Sequence, residues 1–185
     1  MSERTGSAKR KRVAFTDNTT GKYEWGTPQR LFDELDREFH FTRDVCASRE
    51  NFKVTAFWDK EDDALNGKEW SGTLWMNPPY GRAIGTWLKK AFESRATAMT
   101  VCLIPARTCS RWWHQWVMQA DEIRFIKGRL RFQGAEDGAK FPSAIVIFKR
   151  RNPFCNGRSD SCGDERCPIC SGAPRQPGAG KGAKG

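Results

Sequence analysis

Two consecutive prolines, Pro78 and Pro79, limit the folding of this chain more than any other residues. Each ring holds φ at about −65° and removes a backbone N–H, so the pair cannot lie in a strand or helix interior. The segment before them, Thr73-Leu74-Trp75-Met76, is short, apolar and aromatic, and reads as a buried strand. Gly81 breaks the chain after Tyr80, and a helical pattern begins at Ala83. Asn77-Pro78-Pro79-Tyr80 is therefore expected at the carboxyl end of a strand, where open α/β sheets bind their ligands. With two donors deleted, that turn offers carbonyl oxygens.

Such a turn suits chemistry on a planar amino group. The lone pair of an exocyclic amine on adenine or cytosine is delocalised into the ring, which makes the nitrogen a poor nucleophile. Acceptors at the Asn77 side chain and the Pro78 carbonyl can take its two N–H bonds as the nitrogen becomes tetrahedral. Both bonds strengthen as positive charge develops, so they favour the transition state over the ground state. Tyr80 is expected to stack on a base drawn out of a duplex, offsetting part of an unstacking cost of a few kcal/mol. The competing reading is a plain strand-terminating turn, since Asn and Pro are common in turns.

The 185 residues suffice for one domain with a core, plus tails. No apolar run of about 18 residues and no signal-peptide pattern occurs, so a soluble, cytoplasmic protein without a membrane partner is expected, with a monomer plausible. Of the seven cysteines, Cys46, Cys102 and Cys109 are scattered and four crowd the last stretch, a pattern of a reducing compartment rather than a disulfide framework. The net charge of +10 is unevenly placed: residues 1–12 carry +4 and 149–185 carry +5, leaving +1 for 13–148. Within that middle part, 13–81 carries −5 and 82–131 carries +7. Basic tails and a one-sided body favour a polyanionic partner, a nucleic acid, over mere solubilisation.

Along the chain, residues 1–22 read as a disordered basic arm, 23–150 as the folded domain, and 151–185 as a cysteine-containing basic tail. Thr27 as N-cap and Pro28 in the first helical position open a helix through Leu31, Phe32, Leu35 and Phe39. Strands are expected over Phe41–Cys46, 52–58, Thr73–Met76 and Met99–Ile104. Helices are expected from Ala83 to about Ser94 and from Arg111 to Gln119. Glu122–Ile126, Gly128–Phe132 and Ser143–Phe148 read as closing strands. This order predicts a three-layer α/β sheet with an antiparallel hairpin at its edge.

With these elements placed, residues 25–149 resemble the phage-type, Dam-like DNA N6-adenine methyltransferases. The likeness rests on Thr27-Pro28, Asp44-Val45-Cys46-Ala47, Asp63-Ala64-Leu65 and Asn77-Pro78-Pro79-Tyr80. It continues in Leu103-Ile104-Pro105-Ala106-Arg107, Gly128-Arg129-Leu130-Arg131-Phe132 and Pro142-Ser143-Ala144. The resemblance implies a Rossmann-like sheet, S-adenosylmethionine as methyl donor, and transfer to adenine N6 with the base flipped. It implies catalytic roles for Asn77, Pro78, Pro79 and Tyr80, and cofactor contacts from Thr27, Pro28, Asp44, Ala47 and Asp63. The turn after Asp44 contains no glycine, unlike the glycine-rich turn of most methyltransferases. Glu50 is a candidate for the ribose hydroxyls, and the competing reading of Asp44 is a structural acid at a strand end.

Arg82, Arg107, Arg111, Lys127, Arg129 and Arg131 adjoin the loops expected to face substrate and are candidate phosphate contacts, against an ordinary solvated surface. Trp112 and Trp113 read as core rather than base-stacking residues. Cys155, Cys162, Cys167 and Cys170 are candidate zinc ligands, of which only Cys167-x-x-Cys170 has tight knuckle spacing. The amino-group chemistry alone also accommodates cytosine N4 or a glutamine amide. A non-catalytic DNA-binding protein on a methyltransferase body is the competitor from another class.

Overall fold

The computed structural model describes residues 26–135 and 137–151, which belong to a unit ending at Arg151. The elements run α1 (Gln29–Phe39), β1 (Arg43–Asp44), β2 (Gly72–Met76), α2 (Ile84–Glu93), β3 (Ala98–Pro105), α3 (Arg111–Gln115), β4 (Glu122–Phe125) and β5 (Ser143–Phe148). Single 3-10 turns follow α2 at Ser94–Ala96 and α3 at Val117–Gln119. The strands form one sheet in the order β1-β2-β3-β5-β4. β1, β2 and β3 are parallel, and β5 is antiparallel to both β3 and β4. Four strands thus share a direction, and β5 alone is reversed. No helix among the described residues is long and apolar enough to cross a membrane.

Side-chain alternation divides the sheet into two apolar faces, and helices cover both. Trp75, Val101 and Ile147 are aligned across β2, β3 and β5 and share one face. Phe32 of α1 meets Trp75 edge-on at 5.7 Å, which places α1 on that side. Glu122 lies opposite Ile147 in the register, so Arg124, two residues on, projects to the same face. Arg124 makes a bidentate pair with Glu38 of α1 at 2.6 Å to each oxygen. The other face carries Thr100, Phe148, Cys102 and Val146, and Phe92 of α2 meets Phe148 at 6.4 Å. β5 is buried along its whole length, as a central strand covered on both sides must be.

Several expected boundaries move, for physical reasons. Helix α1 starts at Gln29 with Pro28 as N-cap, whose carbonyl accepts the N–H of Phe32. Thr27 is therefore one residue outside the cap and makes no capping bond, which frees its hydroxyl for another partner. The expected strand over Phe41–Cys46 shrinks to Arg43–Asp44, and that over 52–58 reduces to a single parallel bridge between Asp44 and Phe57. Gly128–Phe132 is not a strand: Gly128 has φ +80°, which turns the chain off the sheet after β4, and β5 already has both neighbours. The expected edge hairpin survives as the antiparallel β4–β5 pair. The helix expected to Gln119 breaks at Trp116 and resumes as a 3-10 turn. Gly72 starts β2 with φ +81°, and a Cβ there would lie 2.7 Å from Thr42 Oγ1, so both conformation and space require glycine.

Candidate active site

The carboxyl ends of β1, β2, β3 and β4 open on the same side of the sheet. A cleft of about 910 Å³ lies there, within the range of small-molecule sites. Asn77 and Pro79 from the turn after β2 form part of its wall, together with Thr27, Asp44, Ala47 and Asp63. Residues predicted from four separate stretches of sequence thus meet at one cleft. Pro28, Pro78 and Tyr80 are not among its lining residues, although all three adjoin residues that are.

Asn77 follows the last residue of β2, where the ladder ends and the prolines forbid its continuation. Its Nδ2 donates to the Thr27 hydroxyl at 3.2 Å. In this arrangement the amide nitrogen is turned toward Thr27. Thr27 is 2% exposed, so the pair is well shielded from water. The Thr27 hydroxyl, expected to cap α1, instead orients the side chain proposed for the chemistry.

Tyr80 departs from its expected placement. Its hydroxyl donates to the Leu103 carbonyl at 3.2 Å, and its ring meets Phe132 and Phe141 at 5.9 and 5.6 Å in T-shaped contacts. Burial pushes its phenol well above the usual range. With 5% exposure, Tyr80 offers no open face for a base in this conformation. It is a packed support beneath the turn, held by the segment between β4 and β5.

The opposite wall follows β1 and lacks glycine, yet it is well ordered by hydrogen bonds. Asp44 Oδ1 accepts the N–H of Cys46 at 3.1 Å, and Oδ2 accepts that of Lys53 at 3.2 Å. Its backbone pairs with Ala56 and Trp58, and Ala47 N–H reaches the Trp58 carbonyl. The Asn51 amide oxygen accepts the N–H of Ser48 at 2.7 Å. Burial raises the Asp44 carboxyl to about 6, against the lowering effect of its two backbone donors. Asp44 thus accepts hydrogen bonds from its own loop and also lines the cleft. Asp63 sits at φ +46° and is held there by Asn66, whose Nδ2 donates to its carboxylate at 2.7 Å.

Other lining residues carried no sequence signal. Gly26 bridges Gln133, a contact across more than a hundred residues. Lys53, Trp58, Trp75, Trp87 and Gly134 also line the cleft, as does the ribose candidate Glu50. Trp75 Nε1 is a buried donor with no acceptor among the described residues. Acids, lysines and indoles thus line one cleft together.

The candidate phosphate contacts fall on segments beside this end of the sheet. Arg82, Arg111, Lys127, Arg129 and Arg131 are exposed. Arg107 is half-buried and lies 5.9 Å from the Phe141 ring centre. Trp113 is buried and Trp112 half-buried, which fits the core reading. Among the described residues no His, Cys, Asp and Glu group could hold a metal, and Cys155, Cys162, Cys167 and Cys170 lie outside them.

Comparison with known proteins agrees on one family. The sequence model of the DNA N-6-adenine-methyltransferase (Dam) family matches residues 16–156. The DNA N-6-adenine-methyltransferase of Haemophilus phage HP1 is 30% identical over 140 residues, covering 70% of this chain and 80% of that protein. The DNA N-6-adenine-methyltransferase of Escherichia phage T1 is 31% identical over 111 residues, covering 57% of this chain and 45% of that protein.

Proposed function

This chain belongs to the DNA N-6-adenine-methyltransferase (Dam) family, and on that premise we propose that it transfers a methyl group from S-adenosylmethionine to adenine N6 in DNA. The observation that carries the proposal is the Asn77 turn, which shares one cleft with Thr27, Asp44, Ala47 and Asp63 at the carboxyl end of the sheet. The four co-directional strands and one reversed strand suit a Rossmann-like methyltransferase body. S-adenosylmethionine, when bound, supplies an electrophilic methyl group on a sulfonium.

The protein's own contribution is positioning and charge complementarity. Asp44 ties the loop over residues 45–53, and with Asp63 and Glu50 it lines the wall suited to the cofactor. Asn77, oriented through Thr27, and the Pro78 carbonyl hold the amino group of a flipped adenine. As N6 attacks, the acceptors stabilise the positive charge growing on it. The surplus proton then leaves to water, so no general base is required. Two histidines in the entire chain are compatible with that mechanism.

A base entering beside Tyr80 must displace Phe132 or Phe141, because both pack on that ring. Arg129 and Arg131 lie on the same segment, where phosphate contacts can accompany its movement. The test is incubation of the full chain with DNA and methyl-labelled S-adenosylmethionine, followed by mass spectrometry of the digested nucleosides. Labelled N6-methyladenine is expected. Label on cytosine N4, or on protein alone, would overturn the assignment.

A further inference from the structure

Lys53 is a cation of the cleft wall whose ammonium is held by neutral side chains. Its ammonium donates to Gln29 Oε1 at 2.9 Å and to Gln133 Oε1 at 3.1 Å, both neutral acceptors. No carboxylate lies within ion-pair distance of it among the described residues, in contrast to Arg30, Lys68, Lys89, Arg124 and Arg151. Lys53 lines the cleft and is half-buried, with no carboxylate paired to it. Partial burial lowers its ammonium, while the more distant Asp44 and Asp33 act in the opposite sense. An ammonium has three donors, and two are committed here.

Two separate parts of the chain converge on this nitrogen, and a third anchors the backbone that carries it. Gln29 opens α1, two residues after the Thr27 that binds Asn77. Gln133 comes from the segment between β4 and β5 and bridges Gly26. The backbone N–H of Lys53 is held by Asp44. The ammonium is therefore held beside the start of α1, two residues from the Thr27 that binds Asn77.

We propose that Lys53 is the carboxylate clamp of the site, with its charge and third N–H binding the carboxylate at the methionine end of S-adenosylmethionine. This rests on the cofactor assignment above. In that cofactor the carboxylate lies only a few bonds from the sulfonium that bears the methyl group. A clamp near the Thr27–Asn77 pair therefore places the methyl group toward the amino nitrogen. The two glutamines fix the ammonium without neutralising it, which a carboxylate in their place would do.

Calorimetry with the full chain separates the clamp from its premise. The probes are S-adenosylmethionine and its decarboxylated analogue, which keeps the adenosine and sulfonium but lacks the anion. The unsubstituted protein is expected to prefer the carboxylate form. Lys53→Met is expected to weaken that form by about 10- to 100-fold and leave the analogue nearly unchanged, as for loss of a hydrogen bond to a charged group. If the unsubstituted protein binds neither probe, the cofactor assignment falls. If it binds S-adenosylmethionine and Lys53→Met binds it equally well, the clamp is overturned while the cofactor assignment stands. Equal weakening of both probes also overturns the clamp. Should Lys53→Met lose its cooperative melt, Lys53→Gln, which keeps a donor but no charge, replaces it. Retained preference for the carboxylate form in that variant would refute the proposal.

Discussion

The two walls of the cleft achieve order by opposite means. The Asn77 wall follows a five-residue central strand and is stiff because two prolines remove its torsional freedom. The wall over residues 45–53 follows a two-residue strand and has neither proline nor glycine. It is held by one buried carboxylate that collects backbone donors two and nine residues downstream. One wall is rigid through covalent geometry, and the other through a hydrogen-bond network with a titratable centre. The first should tolerate changes of pH and side chain without unfolding; the second should not.

The largest contrast is expected from Asn77→Ala and Asp44→Ala. Asn77→Ala should lower methyl transfer by at least about 100-fold, the scale for removing one preorganised hydrogen bond to the transition state, while the melting temperature stays nearly constant. Asp44→Ala should do the reverse in stability, costing on the order of 3 kcal/mol because two shielded N–H groups lose their acceptor. Denaturant unfolding beside single-turnover methylation measures both. Equal stability losses in the two variants would break the contrast between the walls.

A pH series sharpens it next. The Asp44 carboxyl stands near 6 in the folded state against 3.8 as the ordinary value, so the folded protein binds more protons than the unfolded chain between those values. Stability from this group is therefore full below about pH 4 and is lost as pH rises through about 6. The gap of about two pH units corresponds to on the order of 3 kcal/mol. Relative to Asp44→Asn, the unsubstituted protein should lose about that much between pH 4 and pH 7 in denaturant titrations. A parallel pair of stability curves would show that Asp44 does not titrate in this window.

Smaller effects test the links between the walls and their surroundings. Thr27→Val removes the hydroxyl that orients Asn77 and should lower kcat by about 5- to 10-fold, the worth of one hydrogen bond, with KM for DNA unchanged. Arg129→Ala with Arg131→Ala should weaken DNA binding uniformly across sequences. It should also flatten the salt dependence by nearly one unit of log–log slope for each phosphate no longer neutralised. Filter binding across a salt series checks both. An unchanged slope would place these arginines on ordinary surface.

The legible part of this chain is what short-range chemistry decides. The apolar run ending at Asn77, the prolines after it and the amphipathic period of Ile84, Leu88 and Ala91 lie within a few residues of one another. They specify a strand, a turn and a helix from local properties. The unreadable part depends on partners distant in sequence. Phe52-to-Trp58 has β-forming residues but finds only β1 as neighbour, and β1 is two residues long, so a single bridge results. Gly128-to-Phe132 alternates like a strand, yet Gly128 turns it away and Phe132 packs on Tyr80 instead. Tyr80 reads as an open platform in the sequence because its neighbours there give no hint of Phe132 and Phe141 closing over it.

From sequence alone came the α/β class, the resemblance to the adenine methyltransferase family, and the Asn77 turn as the proposed chemical centre. The class and the turn rest on covalent geometry or on periodicity within one segment, and the resemblance rests on short motifs spread from Thr27 to Ala144. Only the tertiary structure decided that Thr27 serves Asn77 rather than the helix cap, and that Asp44 replaces the missing glycines as organiser of its loop. It also decided that Lys53 is held between Gln29 and Gln133 in the cleft. Those roles depend on which side chains meet after folding, and residues 24 to 80 positions apart come within hydrogen-bond reach only once the sheet is assembled.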